Sequence, residues 1–166
     1  MPESWQTRLA RWAFNWFPAY RGTGARVTYI AADWREVRIR LPLNRRTRNY
    51  VGTIFGGSLY GAVDPIYMIM LIKALGPDYI VWDKAATIRF LRPGRETLHA
   101  TFRVTAEELA ALRTEVDQAG KAEREFTAEL LNAAGELHVS CQKLLSVRRR
   151  QVTHPREEAS AARGAG

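Results

Sequence analysis

The chain has 166 residues, 46% hydrophobic and 25% charged, with a formal net charge of +8. This length and composition exclude both a disordered chain and a miniprotein dependent on bridges, and they allow one domain with a proper core. The basic excess points to anionic partners such as phosphorylated cofactors, nucleic acid or an anionic membrane.

Residues 4–17 set Trp5, Leu9, Trp12, Ala13 and Trp16 on one helical face, with Arg8 and Arg11 elsewhere, and Pro18 is expected to stop the helix. Two readings follow: a helix laid over the core by its aromatic face, or an interfacial membrane anchor. The few flanking cations favour the first. The segment lacks the unbroken apolar run of a signal peptide, and no stretch reaches the roughly 18 apolar residues that cross a bilayer. A cytoplasmic protein without stable membrane insertion is expected.

Residues 25–31 and 34–41 alternate apolar and polar side chains around a turn near Asp33, which reads as a hairpin. A polar loop, 44–50, precedes a helix over 56–75 closed by Gly76-Pro77. Residues 66–72 are apolar on every side, so this helix needs cover all round. Pro65 cannot donate to the carbonyl of Gly61 and disfavours helical geometry at Asp64, so a kink or locally open turn is predicted there. Strand patterns follow over 79–91, 97–104, 121–131 and 137–147. A short helix opens at the Thr105/Glu108 capping box and ends near Gly120.

One buried helix among six antiparallel strands implies a curved sheet wrapped around it, an α+β, hotdog-like architecture. The expected division is an N-terminal helix and linker (1–24), a hotdog domain (25–147) and a basic, solvated tail (148–166). No aromatic-basic motif accompanies the tail, so nucleic acid is not expected as a partner. Cys141 has no internal partner, and His99, His138 and His154 lack ligand spacing, so neither metal nor other cofactor is expected.

Gly56 and Gly57 open the long helix, where unpaired amides would stabilise a developing oxyanion. The run Asn49-Tyr50-Val51-Gly52-Thr53-Ile54-Phe55-Gly56-Gly57, with Asp64 further along the helix, resembles the hotdog-fold acyl-CoA thioesterases of the phenylacetic-acid-degradation type. With the tryptophan-rich first helix and Trp82-Asp83-Lys84, the pattern is most similar to a thioesterase-like branch known as a domain of unknown function. The resemblance implies that Asn49 and the Gly56 amide hold the thioester carbonyl and that Asp64 is general base or nucleophile. It places Asp83 where the family often has the serine or threonine that orients water, with Lys84 beside it. Phe55 stands at the family's histidine position, and the resemblance implies that it and Gly57, on either side of Gly56, border the substrate. For the phosphates of coenzyme A, the candidates are Arg45, Arg46 and Arg48, or Arg89, Arg92 and Arg95.

Eight residues separate Gly56 from Asp64, roughly 12 Å along a helix, too far to serve one carbonyl. If both act together, the missing partner comes from an antiparallel copy across a two-fold axis, in a homodimer or dimer of dimers. Two functions remain open: a hydrolase of acyl-CoA or another acyl thioester, and a non-catalytic hotdog protein that binds acyl chains or acyl-CoA. Asp64 has a plainer reading too, as a satisfied buried acid paired with Lys84 or an arginine across the interface.

Overall fold

Ser4 opens helix α1 (Trp5–Trp16) with a capping box, its hydroxyl accepting from the Thr7 amide at 3.1 Å. These elements belong to a computed structural model, in which residues 1–150 are described. Pro18 does not end helical structure as expected. It starts a second short helix, α2 (Pro18–Thr23), occupying the first turn where a missing N–H costs nothing.

The strands β1 (Arg26–Ile30) and β2 (Glu36–Leu41) form the expected hairpin, with a bulge between Val27 and Tyr29. The helix is interrupted at the expected place, as an open turn: α3 (Gly56–Val63) stops at Asp64, which keeps right-handed helical dihedrals despite the following proline, and Pro65 caps α4 (Ile66–Leu75). After it come β3 (Tyr79–Phe90), β4 (Leu98–Arg103), α5 (Ala106–Ala119) with the Thr105/Glu108 box, β5 (Lys121–Leu131) and β6 (Leu137–Arg149). β6 runs two residues past 147, and positions 151–166 of the expected tail lie outside the described residues.

All six strands join one antiparallel sheet in the order β1-β2-β4-β5-β6-β3. Inward residues such as Ile39, Phe102, Leu130 and Leu145 meet Met70 and Leu71 of α4 in one core, which is the hotdog arrangement. Tyr67 pins helix to sheet: its ring stacks on Phe126 at 4.7 Å and its hydroxyl donates to the Thr127 carbonyl at 2.9 Å. By length and composition the span Gly56–Leu75 could cross a membrane, contrary to the sequence expectation, and its place inside the sheet accounts for its apolarity.

The first helix is turned the opposite way from the core-facing reading. Trp5, Leu9, Trp12 and Trp16 are exposed, whereas Thr7 is buried and Phe14 packs on the core. Asn15 decides this orientation. Its side-chain amide donates to the Val27 carbonyl at 2.9 Å and its oxygen accepts from the Val27 amide at 2.8 Å, so α1 covers the outer edge of β1. The opposite edge strand, β3, has no such cover: Lys84, Ala85, Ala86 and Thr87 are all exposed.

Candidate active site

The loop before α3 is held by its own backbone and by Asn49. The Asn49 side-chain oxygen accepts from the amides of Val51 and Thr53 at 3.1 and 2.9 Å, and its amide donates to the Thr53 hydroxyl at 2.9 Å. Phe55 is tied by its amide to the Thr47 carbonyl at 2.7 Å. This frame presents the start of α3 with no side chain capping it. One Asn49 amide hydrogen is uncommitted, because the nitrogen carries two and Thr53 takes one.

A cleft of about 400 Å³ lies against this helix end, lined by Asn49, Thr53, Gly56, Phe90, Arg92 and Arg95 among others. A Cβ at Gly57 would run into the ring of Phe55 and push that exposed side chain aside; at Gly56 it would meet Phe90 at 3.4 Å. Phe55, at the expected histidine position, folds over the helix start against Gly57, at the side of the cleft and outside its lining. Val51, Phe55, Phe90 and Leu91 leave the cleft's surroundings exposed and apolar.

Asp64 stands at the other end of α3 and meets a residue that the sequence reading missed. The Lys143 ammonium, on a side chain only 1% exposed, donates to Asp64 Oδ1 at 2.5 Å and lies 3.2 Å from Asp83 Oδ1. The second contact is an ion pair without hydrogen-bond alignment, which leaves Asp83 Oδ1 buried and unbonded. Lys143, and not Lys84 or an arginine, is thus the partner of Asp64 within the protomer. Lys84 sits on the β3 bulge between Asp83 and Ala85, pointing into solvent.

Two acids around one buried cation have opposing pulls. Burial pushes the Asp83 carboxyl up, Lys143 pulls it down, and the neighbouring Asp64 raises it again, with a net upward shift. For Lys143, burial works against the charge, but the hydrogen bond it donates to Asp64 and the charges of the two carboxylates outweigh it, so its pKa is raised. Tyr60, whose ring lies 5.6 Å from the Lys143 ammonium, is also raised, by burial first and Asp64 next. On the same strand, burial pushes up the thiol of Cys141.

The lysine was legible. In β6, Val139, Cys141, Lys143, Leu145 and Val147 are all buried, as strand alternation demands, so a cation in that series faces the core. A buried cation requires acids beside it.

Of the sequence candidates, Asn49, Gly56 and Arg92 meet in one cleft with Phe55 and Gly57 at its side, and Asp64 meets Asp83 through Lys143. Lys84 and Arg89 line neither place. Arg92 also pairs with Glu136 at 3.0 Å. Asp64 further lines a groove of about 660 Å³ between the N-terminal helices and α3–α4, walled by Ala13, Phe14, Phe17, Pro65 and Ile69. Among the described residues, no His, Cys, Asp and Glu cluster is placed to hold a metal ion.

Similar folds occur in solved structures. PA5026 of Pseudomonas aeruginosa, described as a protein of unknown function and a probable thioesterase, is 25% identical, with 90% of this chain and 99% of that one covered and a TM-score of 0.78. The thioesterase HI1161 of Haemophilus influenzae is 13% identical, covering 92% and 97%, with a TM-score of 0.66. PaaI of E. coli, from its phenylacetic acid degradation operon, is 18% identical, covering 89% and 93%, with a TM-score of 0.60. The last two likenesses are of fold alone. No curated protein matches the chain in sequence. Residues 6–147 match a family described as a domain of unknown function, and the chain belongs to that family, DUF4442.

Proposed function

We propose that the protein hydrolyses acyl thioesters, acyl-CoA among them, at sites shared between two subunits. The observation that carries this reading is the separation of its two half-sites. Gly56 and Asn49 line one cavity, Asp64 lines another, and α3 lies between them. The cleft abuts Phe90 at the end of β3, while the acid cluster abuts Asp83 nearer its start.

An antiparallel pairing of two β3 edges about a two-fold within residues 84–87 would bring the Phe90 end of one strand beside the Asp83 region of the other. The partner's cleft would then face Asp64. The same contact would cover the uncovered sheet edge and the apolar rim around Phe55, Phe90 and Leu91.

In this site the thioester oxygen lies against the Gly56 amide and the free Asn49 hydrogen, both aimed where negative charge develops. Asp64, on the other subunit, takes a proton from water through Oδ2 while Lys143 fixes Oδ1. The water oxygen adds to the carbonyl carbon. Collapse of the tetrahedral adduct breaks the carbon–sulfur bond, the proton held by Asp64 passes to the leaving sulfur, and a thiol and a carboxylic acid, which ionises in solution, are released. Asp83 helps to hold the water. Arg92 and Arg95 suit the phosphates of coenzyme A, and the groove at Asp64 suits an acyl chain.

The test is a complementation assay with acyl-CoAs of several chain lengths. Asp64→Asn and Asn49→Ala should each be inactive alone. Mixed and re-associated at equal amounts, they should recover about a quarter of wild-type turnover, because half of the dimers then carry one intact site of two. No recovery rejects a shared site, and full activity of Asp64→Asn rejects its catalysis.

A second reading, a binder of acyl-CoA without turnover, draws on Phe55 in place of a histidine. It expects acyl-CoA to raise the melting temperature with no thiol released, and Asp64→Asn to leave that rise unchanged.

A further inference from the structure

Helix α1 buries its mixed face and offers its aromatic one to solvent. Trp5, Leu9, Trp12, Trp16 and the following Phe17 are between 56% and 73% exposed. The first four, spaced four, three and four residues apart, make a single stripe about 16 Å long. Such a stripe on a free surface is costly without a partner.

Beside it lies a trough of arginines. Arg8, Arg11, Arg21 and Arg26 line one cleft together with Trp12 and Trp16. Arg21 and Arg26 continue into a second cleft with Arg40, Arg45 and Arg46. Neither cleft is lined by an acid. Of these arginines only Arg11 has a carboxylate partner among the described residues, Glu3 at 2.9 Å; Arg21 instead stacks over the Trp16 ring at 4.8 Å. Arg45 and Arg46 are thus set apart from the Gly56 cleft, whose own cations are Arg92 and Arg95.

We propose that α1 and this trough dock the protein onto an anionic phospholipid surface, with α1 lying in the plane of the membrane at headgroup level. Tryptophan suits that depth, because its ring is apolar and its indole N–H needs a wet partner. The arginines meet lipid phosphates, which their planar forks bind in pairs. A second copy of the chain is a poor occupant, since a two-fold contact would set one unpaired arginine trough against its twin. The stripe also lies at the β1 end of the sheet, away from the open β3 edge. Ala13, Phe14 and Phe17 wall the groove that reaches Asp64, so docking would set the mouth of that groove toward lipid.

Sedimentation of the full chain with vesicles of phosphatidylglycerol and phosphatidylcholine, against phosphatidylcholine alone, tests this. Binding should need the anionic lipid, weaken with salt and shift tryptophan emission to the blue. Arg45→Ala with Arg46→Ala should weaken it about fivefold per charge. Trp12→Ser with Trp16→Ser should abolish both binding and shift while leaving the melting temperature unchanged. Failure to bind anionic vesicles at low salt overturns the proposal, as does equal binding to neutral ones or binding that survives loss of both tryptophans. A change of oligomeric mass on loss of the tryptophans, without an effect on vesicle binding, overturns it in favour of a second copy.

Discussion

Lys143 is the residue on which the acid cluster turns. It neutralises one of two carboxylates, and it fixes Asp64 where α3 ends. Replacing it with methionine keeps the chain volume but strands both acids. Removal of one partner of a fully buried pair costs 3–5 kcal/mol as a general scale; because the Asp64 side chain is 41% exposed, a loss of roughly 1–3 kcal/mol is expected here. The pH profile identifies the cause. A raised lysine pKa means that the unfolded chain gives up this proton before the folded one, so the stabilisation is whole below the ordinary lysine value and drains away as pH climbs through the folded value. Melting temperature should therefore fall in alkali more steeply for wild type than for Lys143→Met. Asp83, without its counter-charge, should hold its proton to still higher pH in the variant, readable as a carboxyl shift by NMR.

Between elements, one tight tolerance lies where α2 crosses α3. A Cβ on Gly61 would come 2.8 Å from the Thr23 methyl, so Gly61→Ala should cost about 1–3 kcal/mol by denaturant titration. Thr23→Ser removes that methyl and keeps the hydroxyl, which donates to the Tyr20 carbonyl at 2.7 Å, and should restore most of the loss in the double variant. This crossing could not be read from sequence, since Pro18 reads as a stop and only tertiary contact reveals that it starts another helix. The strands and the break at Pro65 were legible, because alternation and a missing amide act locally. The facing of α1 was misread for a related reason: its apolar stripe is the stronger signal, yet Asn15 bonded to the backbone of Val27 sets which side turns inward. The candidate site divides likewise. Glycines at a helix start declare themselves in the chain, whereas the meeting of Asp64, Asp83 and Lys143 joins three elements far apart in sequence.

For the whole molecule, the two sheet edges are unequal, and that asymmetry predicts assembly. Ala86→Lys on the open β3 edge would set like charges opposite each other across the proposed two-fold, while leaving the exposed face of the protomer intact. Analytical ultracentrifugation should find a dimer in wild type, dissociating at least tenfold more readily in the variant, with turnover lost in parallel. A wild-type monomer at micromolar concentration would contradict the pairing. Cys141 gives the same sheet an internal gauge. It is the chain's one thiol, fully enclosed on the central side of β6, and its raised pKa keeps the reactive thiolate scarce. Alkylating reagents must then wait for β6 to lift away, so the rate of labelling would time the opening of the innermost seam, two residues from the buried cation, with no probe added to the protein.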